Sequence, residues 1–239
     1  MGLLVMIHHD ISKRYIRQTM LPQIGEAGQA KLLGRSALVV GAGGLGSPIL
    51  YYLAAAGVGR IGIVDDDRVS VSNLQRQILF AEGDLGKNKA EQAERRLKLL
   101  NSNTHIEVYP HRLTSECAEN IACDYDLIID ATDNLATRYL LDDTARTLGK
   151  PYLYGAVEGF VGQCALFHVE GSSGYRDLFP EFDVEADARP IGIVGAVAGS
   201  LGAIMATEAI KVLLDMPTSL AGYLLCLDLE KMLFSRIKL

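Results

Sequence analysis

The sequence predicts an α/β fold in which a mostly parallel sheet carries helices on both faces, with mixed strands toward the C-terminus. Apolar strands alternate with helices from Ser36 to Gly155, beginning with a buried strand over 36–40. A glycine-rich segment, residues 41–46, follows that strand directly and opens the next helix. These two observations together predict a Rossmann-like, nucleotide-binding arrangement.

Each element follows from the spacing of its apolar residues. Strands are predicted over 36–40, 60–64, 105–109, 126–130, 151–154 and 161–169, with two more between 222 and 239. Helices are predicted over 12–33, with a break near Pro22 and Gly25, and over 45–56, 87–101, 134–148 and 195–214. Residues 171–190 hold most of the turn residues and acids of the C-terminal part, so we expect a mobile loop there.

The length of 239 residues suffices for one well-buried domain, and we expect a single domain over 1–239. Its parts are a helical arm (1–33), a nucleotide-binding half (36–155) and a second half (156–239) that includes the loop. The apolar run at 191–205 is rich in glycine and shorter than the ~18 residues that span a bilayer. A buried helix explains this run better.

Composition narrows the class of protein. The net charge of -6 gives no sign of a general nucleic-acid or membrane surface. The apolar start, 1–7, lacks a basic region and a cleavage site, so it does not fit a signal peptide. The cysteines form no CxxC pair, which argues against a disulfide scaffold and a four-cysteine zinc site and favours the cytoplasm; they are Cys117, Cys123, Cys164 and Cys226.

The glycine-rich segment is the first candidate site. Glycines let a backbone turn tightly and approach a phosphate or ribose, and the helix N-terminus favours an anion. Asp65 and Asp67 end the next strand, where a carboxylate accepts ribose hydroxyls. The motif does not distinguish NAD from ATP, and a tight turn without a ligand stays open. The glycines are Gly41, Gly43, Gly44 and Gly46.

Basic residues follow the carboxylates, in the segment 72–77 and at Lys89. Arg76 and Lys89 suit a triphosphate, whose charge must be neutralised as pyrophosphate leaves. By spacing alone, solvated surface residues are the simpler interpretation of both.

Another predicted strand, 126–130, ends in the segment 130–134, which contains Asp133. Because ligands of open sheets bind at the carboxyl ends of strands, we expect Asp133 to face the same crevice as the glycines. A hard oxygen ligand near phosphates predicts magnesium, while an N-cap for the following helix is the alternative. A basic pair, Arg14 and Arg17, precedes the sheet. These two arginines either lie on the surface or reach the active site of a neighbouring subunit.

In this order the motifs resemble the ThiF/MoeB/HesA family, bacterial relatives of ubiquitin-activating enzymes. The resemblance runs from Arg14 to the C-terminus, and its segments are 14–18, 41–46, 65–67, 72–77, Lys89, 131–134 and 208–211.

The resemblance implies a homodimer in which each subunit uses ATP and magnesium to adenylate a small β-grasp sulfur carrier ending in Gly-Gly. The products are an acyl-adenylate and pyrophosphate, and the half 156–239 binds the carrier. The pathway implied is thiamine or molybdopterin synthesis. Matched to the family, Arg17 acts across the dimer, Asn73, Arg76 and Lys89 contact phosphates, Asp65 and Asp67 lie at the ribose, and Asp133 binds magnesium.

Two departures from the family pattern are visible. Gly174 and Asp177 stand where many members carry the cysteines of a structural zinc site, so we expect no zinc. Ala188 stands where ThiF-type members carry a crossover-loop cysteine, so a covalent link to the carrier is not expected.

Three other functions stay open on the sequence. An NAD-dependent oxidoreductase explains the glycines but not Arg17, Arg76, Lys89 and Asp133. A binding protein that docks a ubiquitin-like partner without catalysis is compatible with the two departures. A tRNA threonylcarbamoyladenosine dehydratase shares the fold, although the intact segment 14–18 favours the sulfur-carrier branch.

Overall fold

One mixed sheet of eight strands organises the protein. The computed structural model describes residues 13–169, 171–180 and 192–239. The strands are β1 (Ser36–Val40), β2 (Arg60–Val64), β3 (His105–Tyr109), β4 (Leu127–Asp130), β5 (Tyr152–Glu158), β6 (Val161–Phe167), β7 (Tyr223–Asp228) and β8 (Leu233–Lys238).

The strand order is β3-β2-β1-β4-β5-β6-β7-β8. The first five strands in this order pair in parallel, and β5 to β8 pair antiparallel. The chain runs outward from β1 to β3 and then returns to place β4 beside β1. Open parallel sheets bind ligands at such a reversal point, outside the carboxyl ends of the strands. The predicted fold class is confirmed.

The described helices cover both faces of the sheet. They are α1 (Ile16–Thr19), α2 (Gly25–Leu33), α3 (Gly46–Ala56), α4 (Lys89–Leu100), α5 (Ala118–Ala122), α6 (Leu135–Leu148), α7 (Tyr175–Leu178) and α8 (Gly195–Leu213).

Alternate residues of the central strands point to opposite cores. Val39 and Ile129 pack with α2, α3, α4 and α8, whereas Leu38 and Ile128 pack with α5, α6 and α7. Strands buried on both faces are expected to be almost continuously apolar, which is what these strands show.

Helix α8 confirms the buried helix expected in the apolar C-terminal run. Its 19 residues, with mean hydropathy 1.5, are long and apolar enough to cross a membrane by length and composition. In the fold it lies against α3 so closely that a Cβ at Gly202 would stand 2.4 Å from Pro48 Cγ. The helix therefore serves as a core element on one face of the sheet.

Three local predictions need correction. Strand β5 continues to Glu158, four residues beyond the predicted end, because it pairs along its whole length with β6. The short helix α5 was not predicted. Within the predicted loop, 171–180 contains helix α7 with Tyr175 buried against aromatic rings. Residues 181–190 lie outside the described residues, as do Ser12 and Ala188.

A buried carboxylate holds α7 in place. Asp142, on α6, accepts hydrogen bonds from the backbone N–H of Tyr175 at 2.7 Å and of Arg176 at 3.2 Å. His168 Nε2 lies 2.7 Å from the same carboxylate. A Cβ at Gly174 would lie 2.9 Å from Asp142 Oδ1, so a cysteine does not fit there without a shift. Burial raises the pKa of Asp142, but these donors outweigh it and leave the pKa below its usual range.

We predict that Asp142→Asn lowers the free energy of unfolding at neutral pH by about 1.5–3 kcal/mol or more, the value of one hydrogen bond to a charged group. Because the folded-state pKa is depressed, this stabilisation is present above the unfolded pKa and is lost as the pH falls through the folded pKa. Urea denaturation at pH 7 and below about pH 4 measures it. The control is the neighbouring variant Asp143→Asn, because Asp143 is half exposed and forms a surface ion pair with Arg176 that contributes little to stability. Equal stability of the two variants at pH 7 would contradict the prediction.

Candidate functional site

An open cleft of about 1140 Å³ runs along the carboxyl ends of β1, β2 and β4 and continues beside β6, β7 and β8. At one end it is lined by the glycine segment and by Asp65, Asp66 and Asp67. At the other end it is lined by residues such as Gly162, Asp228 and Ser235. The cleft therefore joins the reversal point of the parallel sheet to its antiparallel extension.

The four glycines divide into two roles. Gly41 has φ 96°, and a Cβ there would lie 2.6 Å from Ala131 O at the end of β4. A Cβ at Gly46 would lie 2.0 Å from Gly41 O, and Gly46 does not line the cleft. These two glycines make the tight turn, whereas Gly43 and Gly44 present backbone to the cleft.

Asp65 ties β2 to the glycine segment. Its Oδ2 accepts a hydrogen bond from Ala42 N at 2.7 Å, and its Oδ1 accepts one from Asp67 N at 2.9 Å. Burial raises the pKa of Asp65 above its ordinary value. This carboxylate lines the cleft at the place predicted for a ribose, and it also fixes the loop.

Lys89 is not a surface residue, so that alternative is wrong. Its side chain is only 6% exposed, and its Nζ lies 2.8 Å from Asp67 Oδ2. The first turn of α4 carries it into the wall of the cleft. A buried ammonium beside a single exposed carboxylate is well placed for a ligand's phosphate.

Arg76 is half-buried and lines the cleft, with Nη1 donating to Ser72 O at 3.0 Å. Asn73 has a local structural role, and its contact with the phosphates stays a prediction. Its Oδ1 accepts from Ser70 N at 3.1 Å, capping the short 3-10 helix Val71–Asn73, and it does not line the cleft. Cleft geometry thus brings Arg76 and Lys89 together but leaves Asn73 outside.

Asp133 and Asn134 have different roles. Asn134 is the N-cap of α6, since its Oδ1 accepts from Thr137 N at 2.9 Å. Asp133 lines the cleft and is exposed, and within the described residues its carboxylate makes no hydrogen bond or ion pair. Magnesium at phosphate sites typically uses one or two carboxylates plus the phosphates themselves. Asp133 fits that donor set, and within the described residues no group of three or more potential ligands offers an all-protein site.

Arg17 lies far from the cleft of its own chain. The adjacent Gln18 donates to Ala56 O at the last residue of α3, at 3.0 Å. Helix α3 begins at Gly46 and has 11 residues, which at about 1.5 Å each spans roughly 16 Å. Helix α1 therefore stands at the opposite end of α3 from the glycine segment, beyond the reach of an arginine side chain.

Sequence reasoning missed several polar residues that line the cleft. Arg138 lies on the first turn of α6, four residues after the cap. Tyr154 and Gln163 lie on β5 and β6, with Gln163 Nε2 donating to Tyr154 Oη at 2.8 Å. Arg138 could have been predicted as a cleft residue only from its position shortly after the end of β4. The other two depend on strand pairing that an apolar pattern does not specify.

We predict that Asp133→Ala changes the free energy of unfolding by less than about 0.5 kcal/mol, because its carboxylate has no partner to lose among the described residues. Asn134→Ala should cost about 1 kcal/mol, because it removes the cap of α6. Denaturant titration of the matched pair measures both. A larger loss for Asp133→Ala than for Asn134→Ala would reverse these assignments.

Comparison with known proteins agrees with this geometry. The family model described as the ThiF family matches residues 15–239. A sulfur carrier protein adenylyltransferase of Thermus thermophilus is 49% identical over 235 residues, covering 94% of this chain and 86% of that protein. A probable molybdopterin-synthase adenylyltransferase of Porphyra purpurea is 40% identical, but the chain spans only 60% of its length.

Among solved structures, Escherichia coli MccB with ATP has a TM-score of 0.79 and 20% identity, covering 88% of this chain and 64% of that one. This likeness shows a shared fold. The family model covers nearly the whole chain, and the Thermus relative is far more similar than the fold requires. The chain belongs to the ThiF family.

Proposed function

We propose that the protein adenylates the C-terminal carboxylate of a small sulfur-carrier protein, using ATP. The observation that carries the proposal is a single cleft with two kinds of wall. Its first wall holds the glycine segment, Asp65, Arg76 and Lys89, and its second runs along the antiparallel strands. Such a cleft accommodates a nucleotide and the end of a polypeptide side by side. No observation favours the oxidoreductase.

In this reaction a carboxylate oxygen attacks the α-phosphorus of ATP. An acyl–phosphate bond forms, the bond to the bridging oxygen breaks, and pyrophosphate leaves with that electron pair. Two anions must approach, and charge grows on the leaving group. Arg76 and Lys89 neutralise phosphate charge, while Asp67 holds the Lys89 ammonium in position. Magnesium held by Asp133 would supply further neutralisation of the phosphates.

The carrier is proposed from the names of the relatives, which include adenylyltransferases of a sulfur carrier and of molybdopterin synthase. We propose that a Gly-Gly terminus lies along the antiparallel strands, where Gly162 forms part of the cleft wall. Beside it, the outer strand β8 exposes two large apolar side chains on one face, Leu233 and Ile237. This surface is proposed to bind the folded domain of the carrier. The proposed pathway is thiamine or molybdopterin synthesis.

The position of Arg17 supports the proposal of a homodimer. Helix α1 and the segment after it expose Ile16, Met20 and Leu21, each at least half exposed, and Tyr52 of α3 adds to this patch. A second copy that covers the patch would bring Arg17 to a cleft that is not its own. Arg17 then completes the positive charge around the partner's phosphates.

A structural zinc has no part in the proposal, because the Asp142 carboxylate already anchors the segment around Gly174. Cytoplasmic location and sulfur supply by an external donor, rather than through residue 188, belong to the same proposal. They remain predictions from the sequence.

Carrier-dependent exchange of labelled pyrophosphate into ATP tests the function. Asp133→Ala should lower the exchange rate by about 10²–10³, the usual cost of removing one preorganised electrostatic contributor. Asp124→Asn is the matched control and should retain the wild-type rate, because Asp124 is an exposed carboxylate at the amino ends of the central strands, opposite the cleft. Arg17→Ala should also lower the exchange rate when it is the only variant present. Subunit exchange between Arg17→Ala and Asp133→Ala should then restore part of the activity, because one hybrid cleft has both residues. Full activity of Asp133→Ala, or no rescue in proven heterodimers, would contradict the site as proposed.

A further inference from the structure

Arg138 lines the cleft and has no role in the proposed function so far. It lies on the first turn of α6, with its guanidinium in the cleft wall. One nitrogen, Nη2, donates to Thr132 O at 3.1 Å, and the guanidinium carbon stands 5.4 Å from the centre of the Tyr154 ring. These contacts fix the side chain without using most of its five N–H donors.

The charge of Arg138 is not balanced by direct contact within the described chain. It forms no ion pair there, and its buried Nε has no acceptor. The nearest buried carboxylate, Asp130, is already occupied by two donors of Thr132 at 2.8 and 2.6 Å and by Tyr152 Oη at 2.7 Å. The negative charge of Asp130 favours the charged form of Arg138 and raises its pKa, although the two groups form no ion pair. The unused N–H donors of this half-buried guanidinium are therefore free to bind an anionic group of a ligand.

The place of Arg138 decides which anion fits. In the sheet, β4 lies between β1, which carries the glycine segment, and β5, which carries Tyr154. Arg138 leans over Tyr154 and therefore lies on the β5 side of β4, away from the strand that carries the glycines. Phosphates held by the glycines, Arg76 and Lys89 would be on the other side. What reaches Arg138 comes along the antiparallel strands, from the proposed carrier.

We propose that Arg138 binds the terminal carboxylate of the carrier and orients it toward the α-phosphorus. The inference rests on the proposed function and adds the residue that selects a free carboxylate. A guanidinium matches the two oxygens of a carboxylate in a planar, bidentate pair. The same pair would hold the attacking oxygen in position before the phosphate accepts it.

The test uses the Gly-Gly-terminated β-grasp protein of the same genome, prepared with a free C-terminal carboxylate and as the C-terminal amide. Calorimetry gives the Kd of each form for wild type, Arg138→Gln and Arg138→Lys. Wild type should bind the acid more tightly than the amide by roughly tenfold to a hundredfold, the value of a charged hydrogen bond. Arg138→Gln should lose this preference, and Arg138→Lys should keep a part of it, because charge remains but the planar fork does not.

Two controls and the exchange assay of the wild type separate the outcomes. The Kd for ATP should stay unchanged in Arg138→Gln, and Arg146→Gln, an exposed arginine two turns along α6, should behave as wild type. An acid preference that survives in Arg138→Gln would overturn the inference, as would a loss of ATP affinity with that preference intact, which would assign Arg138 to a phosphate. Absence of pyrophosphate exchange in wild type would instead refute the proposed function.

Discussion

The cleft depends on one close approach between two strand ends. Where β1 ends, Gly41 turns back so tightly that a Cβ would stand 2.6 Å from the carbonyl oxygen that follows β4. Gly46 completes the turn in a place where a Cβ would stand 2.0 Å from Gly41 O. No other residue type fits either position without displacing backbone. Because β1 and β4 flank the reversal point of the sheet, this contact forms the bottom of the cleft, and the other polar groups are positioned around it.

Polar groups lie on both sides of this contact. Asp65 fastens the end of β2 to Ala42, while the first turn of α4 brings Lys89 against Asp67. On the other side, the cap at Asn134 starts α6 and thereby places Asp133 and Arg138 on adjacent parts of the wall. Arg76, Lys89 and Arg138 thus lie along the same cleft, where two anionic substrates would meet. In many enzymes, preorganised charge of this kind lowers the activation barrier more than any other single effect.

Much of the fold could be predicted because its determinants are local. Apolar runs indicated the central strands, and the glycine segment and the carboxylates at strand ends indicated the first wall of the cleft. What could not be predicted depends on packing between distant segments. The burial of Lys89 requires α4 to dock beside β2, and the short helix α7 exists because Asp142, 33 residues before Tyr175, supplies its anchor. Asp133 and Asn134 are adjacent and both cap helices well, so only geometry could tell them apart.

In the proposed reaction the cleft brings a carboxylate to the α-phosphorus of ATP. Incubating the protein with the carrier and magnesium, and with ATP labelled at either the α- or the γ-phosphate, tests this most directly. We expect the α-label to become attached to the carrier in a bond that hydrolyses readily, while the γ-label leaves entirely as pyrophosphate. Transfer of the γ-label to the carrier, or no labelled carrier from either nucleotide, would contradict it.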